Sequence, residues 1–380
     1  MCHLLSRWVL VSSSVVFTSA AFAQVDDIVK LRSSLNVMTD DNFLRSPAST
    51  AVSERVTSQT IGVNVALPYS LQRFELDASL TGNQHQTYTN FDYIAQNYSA
   101  AWRWGLTPRL HGSLTSARTE SLNAPADSQN PNLRNKNTTQ NTAFSAAYDL
   151  GGPWQATAGI SSTSTINERP LLDQTDNRSS GVNMGLRYAQ ASGNSLAYSF
   201  QRASGSTGND YTATTHELLA TWVPSGNTTV NVRMAFLDQH FGLVPQYDFN
   251  GVAGAISLNW RATGKVSVSA GWQRDLGSSQ GGGASYTQTD SLTLGPAWQI
   301  GTRTALRLQY RYAVRDDKGN PSGVSTSRQD RLQDTSLTYS WQPRPLATLS
   351  VRVGEYTRST TLTNADFVAH QLALDVQFLF

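Results

Sequence analysis

Apolar and polar side chains alternate along most of this chain with a period of two residues. Such alternation gives an extended strand two different faces. The alternating stretches between turn-forming residues predict eighteen strands, at 31–41, 55–68, 72–86, 93–106, 109–121, 137–150, 154–166, 178–190, 194–205, 211–224, 227–240, 247–262, 265–276, 286–300, 304–316, 328–343, 347–359 and 367–380. No stretch shows the apolar period of a helix, so the predicted fold is all-β.

The connections between these strands alternate between short and long. The eight short ones are turns such as Thr107-Pro108 and Ser225-Gly226, and the nine long ones are polar stretches such as 122–136. Outer-membrane barrels have short periplasmic turns and long extracellular loops. The sequence therefore predicts a transmembrane, antiparallel, up-and-down β-barrel of about eighteen strands with both termini in the periplasm. Sixteen strands is the alternative count, and the stretch 41–54 is where a miscount would fall.

The two faces of the predicted strands differ as a membrane requires. In 304–316 the residues Leu306, Leu308 and Tyr310 alternate with Arg307 and Arg311, which places both arginines on the same side. A lipid-facing surface must be free of charge, whereas a wet interior tolerates it. Tryptophans prefer the membrane interface, and seven lie within about five residues of a short turn, which predicts a periplasmic girdle of Trp102, Trp104, Trp154, Trp222, Trp260, Trp298 and Trp341.

Both ends of the chain agree with this location. Residues 1–23 have the basic, apolar and small-residue regions of a secretory signal peptide, leaving 24–380 as the barrel. The only cysteine, Cys2, lies in that segment, so no disulfide is expected in the barrel. A terminal Phe380 on an amphipathic strand resembles the assembly signal of bacterial outer-membrane barrels. That resemblance implies a Gram-negative outer membrane, with lipid, lipopolysaccharide and the barrel assembly machinery as partners.

Composition narrows the function. The formal net charge is only +2 and 39% of the residues are hydrophobic, which argues against nucleic acid as a partner and fits a polar barrel interior. Arginine predominates on the predicted inner face, and guanidinium groups bind carboxylates, phosphates and hydroxyls. The alternative is that each arginine only pairs with an inner acid. The predicted pore-lining residues are Arg103, Arg187, Arg233, Arg261, Arg307, Arg311, Arg352, Glu75, Asp77, Glu217 and Asp375.

Catalysis is not predicted. The chain has no Gly-x-Ser-x-Gly nucleophile elbow, and its histidines lack metal-ligand spacing. His216 and His240 are expected near strand ends, and His370 is expected on the apolar face close to a loop. The run Gly281-Gly282-Gly283 lacks the lysine of a phosphate loop, and 316–320 lacks the last ligand of a calcium loop. We therefore expect no enzyme activity, no cofactor and no metal.

The end of the first strand carries a family resemblance. The stretch Asp40-Asp41-Asn42-Phe43-Leu44-Arg45 resembles the opening of the EpsL-like exopolysaccharide outer-membrane proteins, although the family pattern has Leu-Phe where this chain has Phe43-Leu44. The resemblance implies export of an exopolysaccharide, with separately encoded periplasmic export components as partners. A general or solute-specific uptake porin is the main alternative, in which loop 122–136 would fold inward. An adhesin, a structural barrel or a barrel enzyme is a third reading.

Overall fold

A computed structural model describes residues 28–123, 132–169, 176–278, 284–319, 321 and 328–380. Over these ranges the chain forms eighteen strands: β1 (Val29–Asp40), β2 (Glu54–Tyr69), β3 (Gln72–His85), β4 (Tyr93–Gly105), β5 (Leu110–Leu122), β6 (Lys136–Gly151), β7 (Trp154–Asn167), β8 (Asn177–Ala189), β9 (Ser195–Ser206), β10 (Asp210–Ser225), β11 (Thr228–Phe241), β12 (Phe249–Arg261), β13 (Val266–Ser278), β14 (Tyr286–Gln299), β15 (Thr304–Lys318), β16 (Gln329–Arg344), β17 (Ala347–Thr360) and β18 (Phe367–Leu379). Every predicted strand end lies within two residues of the observed one. The alternative count of sixteen is wrong, because the described residues form eighteen strands. The segment 41–53, where a miscount was expected, adds no further strand.

The strands close into one antiparallel barrel. Each strand pairs with its neighbours in the chain, and β1 pairs with β18 from Arg32 opposite Leu379 to Asp40 opposite Gln371. At this closing junction the backbone amide of Phe380 donates to the carbonyl of Leu31 at 2.8 Å, and the amide of Leu31 donates back at 2.9 Å. Closure satisfies the strand edges that an open sheet would leave unpaired.

The connections differ between the two ends of the barrel. One end carries eight turns of two to five residues, from 70–71 to 345–346, and the other carries the loops. The connection at 207–209 is short although it lies at the loop end, because β9 and β10 continue to Ser206 and Asp210. Short 3-10 helices occur at Ala48–Thr50, Thr89–Phe91 and Pro245–Tyr247. Among the described residues, no helix has the length and apolar content that crossing a membrane would require.

The outer face of the barrel is apolar over the part of each strand nearest the turns. In β18 the outward side chains Leu372, Leu374, Val376 and Phe378 form this belt, and the next outward residue is His370. Beyond the belt, the strands extend toward the loops with a mixture of polar and apolar outward side chains, such as His370 and Val368 in β18. A hydrophobic band of this kind is the surface that contacts lipid.

Tryptophans lie at the turn end of this belt, as predicted from the sequence. Six of them expose between 39% and 59% of their surface on the outer face: Trp102, Trp154, Trp222, Trp260, Trp298 and Trp341. The seventh, Trp104, differs because it is only 8% exposed. Its indole stacks on the Phe144 ring, with centroids 5.8 Å apart, over the space left by Gly112. Trp104 therefore packs along the outer wall instead of pointing into the headgroup region.

Candidate functional site

The strand register places all eleven predicted pore-lining side chains on the face opposite the apolar belt. In β15, for example, the belt residues Leu306 and Leu308 alternate with Arg307, and Arg307 lies opposite Thr338 of β16. The same parity holds for the rest of the set, namely Arg103, Arg187, Arg233, Arg261, Arg311, Arg352, Glu75, Asp77, Glu217 and Asp375. These side chains point into the barrel, but they do not form a single cluster.

Three of the arginines share one line of the sheet. Arg261 of β12 lies opposite Ser267, which lies opposite Ala297 and then Arg307 of β15. The same line continues through Thr338 to Arg352 of β17. We call this line the arginine row. With strands about 4.8 Å apart, the arginines are separated by roughly 14 and 10 Å, and the residues between them are small.

The arginine row rises from the turn end of the barrel into its interior. Arg261 is the last residue of β12, Arg307 is the fourth residue of β15 and Arg352 is the sixth residue of β17. Strands of membrane barrels are tilted by about 40°, so a line perpendicular to the strands climbs along the barrel axis. The three guanidinium groups are therefore steps at different depths along the interior wall.

The arginine row borders a cavity of about 690 Å³. All three arginines line this cavity together with Lys265, and none of the described residues around it is acidic. Arg261 donates to the carbonyl of Gly226 at 2.7 Å, which orients its guanidinium group near the turns. Within the described ranges, neither Arg307 nor Arg352 has a carboxylate within 4 Å, although Asp375 of β18 lies diagonally beside Arg352 and feels its charge. This part of the wall is a concentrated positive surface.

A second, shorter line carries Arg187 and Arg233. Arg187 of β8 lies opposite Ala197, and the line continues through Leu219 to Arg233 of β11. Both arginines border a cavity of about 310 Å³. Arg233 is paired with Glu217, whereas Arg187 has no acidic partner in the part of the chain that the structure describes. Of the two arginine charges on this line, that of Arg233 is therefore neutralised and that of Arg187 is not.

The remaining inner charges are mostly paired. Glu75 accepts from Arg73 at 2.7 Å and from Arg103 at 3.2 Å. Arg32 contacts Asp77 at 3.4 Å, and Arg311 contacts Asp334 at 3.2 Å. Asp375, another predicted lining residue, lies on β18 opposite Ser350 and has no cation within 4 Å among the described residues. The alternative interpretation, that inner arginines pair with acids, thus holds for Arg103, Arg233 and Arg311.

The predicted set of pore-lining residues omits several basic residues of the interior, among them Lys265 and Arg32. Lys265 is in a turn at the foot of the arginine row, and Arg32 is on the inner face of β1. For Arg32 the signal was present, because it alternates with the outward Leu31 in the first predicted strand. For Lys265 there was no signal, because alternation does not extend into a turn.

The residues that carried the family resemblance lie at the junction of β1 and β18, and several of them are buried. Asp40 and Asn42 are at most 2% exposed. Arg45, in the left-handed backbone region with φ of 57°, contacts Asp40 at 2.8 Å. The Asn42 amide donates to the carbonyls of Ser46 at 2.7 Å and Val368 at 2.9 Å. Short polar side chains are needed here for loop geometry and barrel closure.

The histidines occur apart from one another. His216 lies in the middle of β10 and contacts the Tyr198 hydroxyl at 2.8 Å, which corrects its expected place near a strand end. His370 lies on the outer face just above the belt and contacts Asp41 at 2.7 Å. Within the described residues, no group of three histidine, cysteine, aspartate or glutamate side chains could hold a metal ion.

Four expectations concern residues that lie wholly or partly outside the described ranges. The signal peptide at 1–23, the glycine run 281–283 and most of the loop 122–136 lie there, as does the end of 316–320. The described residues at the ends of the 122–136 loop contact neighbouring loops and strand ends. Arg134 donates to the carboxylate of Glu168 at 3.1 Å through its Nε.

Comparison with known proteins identifies the class of fold. No family model and no curated protein matches the sequence. Solved structures do match. Pseudomonas aeruginosa OccK2 (OpdF) in complex with glucuronate is 14% identical with a TM-score of 0.55, and the match covers 93% of this chain and 98% of that one. Pseudomonas aeruginosa OpdK with vanillate (15% identity, TM-score 0.54) and a BenF-like porin from Pseudomonas fluorescens Pf-5 (13% identity, TM-score 0.54) each match over 93% of this chain and 99% of their own.

The chain thus has the fold of an eighteen-stranded outer-membrane porin, and it belongs in the outer membrane of a Gram-negative bacterium. The predicted resemblance to EpsL-like exopolysaccharide proteins finds no support, and the prediction of polysaccharide export is wrong. The matching barrels are porins, and two of them hold small organic acids. The expected polysaccharide cargo and periplasmic export components likewise find no support.

Proposed function

We propose that this barrel is a solute-specific uptake porin for small organic anions, chiefly carboxylates. The observation that carries the proposal is the arginine row, in which Arg261, Arg307 and Arg352 share one line of the wall beside an acid-free cavity. A guanidinium group binds a carboxylate through two parallel hydrogen bonds, a geometry that lysine and neutral donors do not provide.

The spacing of the arginine row allows a solute to move along the wall as well as to bind. A conducting site must attract a solute strongly enough to enter, yet weakly enough to release it to the next site. Steps about 10–14 Å apart and at different depths give a carboxylate successive partners along the wall. Small residues at Ser267, Ala297 and Thr338 leave room between the steps. Positive charge on low-dielectric walls also raises the local concentration of anions.

The two ligands named for matching barrels have this chemistry. OccK2 (OpdF) was solved with glucuronate and OpdK with vanillate, and each compound is a small ring that carries a carboxylate. This similarity supports the proposed substrate class for the present chain. It does not select between a sugar acid and an aromatic acid.

Liposome swelling tests the proposal with paired solutes. Glucuronate and glucose differ mainly by the carboxylate, as do vanillate and vanillyl alcohol. With the full-length barrel in neutral liposomes, we expect each acid to enter several-fold faster than its neutral counterpart. Equal rates within each pair would contradict the proposal and indicate a general porin. No entry of any of the four solutes would contradict uptake altogether.

A further inference from the structure

The outer wall of β5 to β10 carries a line of small hydroxyl side chains. They follow one register line across six neighbouring strands, where most of the barrel has larger outward residues. The line consists of Ser116, Thr142, Ser162, Ser180, Ser204 and Thr212. It climbs from the middle of β5 to the loop end of β9 and β10, within two residues of Ser206 and Asp210.

This line is the floor of a groove in the outer surface. Two adjoining cavities of about 700 and 690 Å³ lie along it, and they share Ser162, Ser180, Ser204 and Thr212. The floor is low because serine and threonine are short, whereas the row on the turn side carries longer side chains, from Leu114 to Arg202. We call this feature the outer groove.

The turn-side edge of the outer groove is apolar. Ile160 is 57% exposed and Val182 is 50% exposed, and both line the first cavity together with Leu114 and Phe144. These residues are the upper margin of the belt that contacts lipid. An acyl chain lying along this edge would remain in contact with apolar side chains until it reached the level of the groove floor.

The loop-side end of the outer groove carries two arginines and one acid, Asp210, which lines the second cavity. Arg202 lines the first cavity and Arg178 lines the second, and both are exposed on the outer face. They lie on opposite sides of the floor residues, since Arg202 follows the line of Val182 and Arg178 follows the line of Ser164. A single headgroup over the floor would have a guanidinium group on each side.

These two arginines lack the acidic partners that several other outward cations have. Among the described residues, neither Arg178 nor Arg202 has a carboxylate within 4 Å. By contrast, Lys136 contacts Glu120 at 3.3 Å and Arg274 contacts Asp290 at 2.7 Å on the same outer face. Uncompensated guanidinium groups beside an apolar edge match an anionic headgroup attached to acyl chains.

We propose that the outer groove is a binding site for lipopolysaccharide. In this arrangement Arg178 and Arg202 bind lipid A phosphate, the hydroxyl floor hydrogen-bonds to the sugar, and acyl chains descend past Val182 and Ile160. The position in the loop-side half of the barrel places the headgroup in the outer leaflet, where this glycolipid resides. A second copy of the chain fits less well, because a two-fold contact at this face would bring the same unpaired arginines toward each other. The site is separate from the interior and does not depend on the proposed transport function.

Native mass spectrometry of the full-length barrel in detergent tests this site. The probe is hexa-acylated lipid A bearing two phosphates, and the variant is R178Q/R202Q. The matched control is R331Q, which neutralises an exposed outward arginine on β16 away from the groove. We expect binding to weaken about tenfold or more in R178Q/R202Q, as loss of hydrogen bonds to a charged group predicts, and to be unchanged in R331Q. The dephosphorylated lipid should bind wild type as weakly as the intact lipid binds the double variant.

A second variant fills the groove without altering charge. Ser180→Trp should reduce lipid A binding. Heat-modifiable gel mobility and channel conductance that match wild type will show that the variant barrel is folded. Equal lipid A binding by R178Q/R202Q and R331Q would overturn the proposal. Equal affinity for phosphatidylglycerol would overturn it in favour of a phospholipid site. A dimer or trimer that S180W dissociates would overturn it in favour of an interface between copies.

Discussion

The side-chain amide of Asn42 donates a hydrogen bond to the backbone carbonyl of Val368, 2.9 Å away, and so joins the loop after the first strand to the last strand. The same amide group donates to the Ser46 carbonyl, and its oxygen accepts from the Ser46 amide at 2.9 Å. Asn42 is only 1% exposed, so no water can replace these bonds readily. Barrel closure therefore rests on side-chain bonds as well as on the strand ladder.

Asn42→Ala should weaken this junction. Leaving buried backbone groups unsatisfied costs about 1–3 kcal/mol each, so we expect a lower urea midpoint for unfolding in detergent, followed by tryptophan fluorescence. Asn209→Ala, in an exposed loop, is the control and should leave the midpoint unchanged. An N42A midpoint equal to that of N209A would show that the strand pairs alone hold the junction.

Removal of Phe380 tests its predicted role as an assembly signal. Deletion removes the two backbone bonds with Leu31, whereas Phe380→Ala keeps the backbone and removes only the ring, which lies 6.3 Å from the Phe378 ring. If the ring is the signal, both variants should lower the amount of barrel in the outer membrane. If the backbone bonds that close the barrel are the signal instead, only the deletion should lower that amount. Barrels that do insert should keep their conductance, and normal levels of both variants would contradict the assembly role.

Glu217→Gln should increase the preference for anions. Glu217 neutralises Arg233, so the amide leaves the guanidinium charge uncompensated on the wall of the interior. We expect a shift of the zero-current potential toward anion selectivity in a salt gradient, and the shift should shrink at high salt because charges are screened. Glu355→Gln, an exposed change on the outer face, should cause no shift. An unchanged potential for E217Q would place Arg233 outside the ion path.

The ion pair between Arg134 and Glu168 predicts a pH dependence of stability. The hydrogen bond from Arg134 lowers the pKa of the Glu168 carboxyl below its usual value, although partial burial opposes this. A lowered pKa in the folded state stabilises the barrel above the ordinary glutamate pKa of about 4.3, and this contribution is lost as the pH falls through the folded value.

Glu168→Gln should therefore lower the thermal midpoint at pH 7. The lost stability should be about 1 kcal/mol or less, which is what a partly exposed ion pair provides. The difference from wild type should narrow as the pH falls below that of an ordinary glutamate. Asp210→Asn removes an exposed acid that has no ion pair among the described residues, and it is the control. A difference that stays constant with pH would contradict the ion-pair explanation.

The fold was predictable because a membrane barrel repeats one simple rule. That rule is the alternation of apolar residues facing lipid with polar residues facing water. It is visible in the three consecutive residues Leu306, Arg307 and Leu308. Turn residues then fix strand ends, and an even count closes the barrel. The same rule assigned each inner arginine to its face.

The site was less predictable because alternation does not tell which strands lie side by side at which height. Arg261 and Arg352 are 91 positions apart, and only the register through Ser267, Ala297 and Thr338 aligns them. Pairing of Arg233 with Glu217 also depends on register. The segment from Asp40 to Arg45 misled the functional interpretation because a short motif required for closing a barrel says nothing about what the barrel carries.

The zero-current potential of the triple variant R261Q/R307Q/R352Q tests the central claim most directly. In planar bilayers with a potassium glucuronate gradient, wild-type barrels should be selective for the anion, and the triple variant should lose most of that selectivity while retaining an open channel in potassium chloride. R303Q, which removes an arginine bound to the Pro343 carbonyl near the turns, is the control and should behave as wild type. Anion selectivity that persists unchanged in the triple variant would contradict the account.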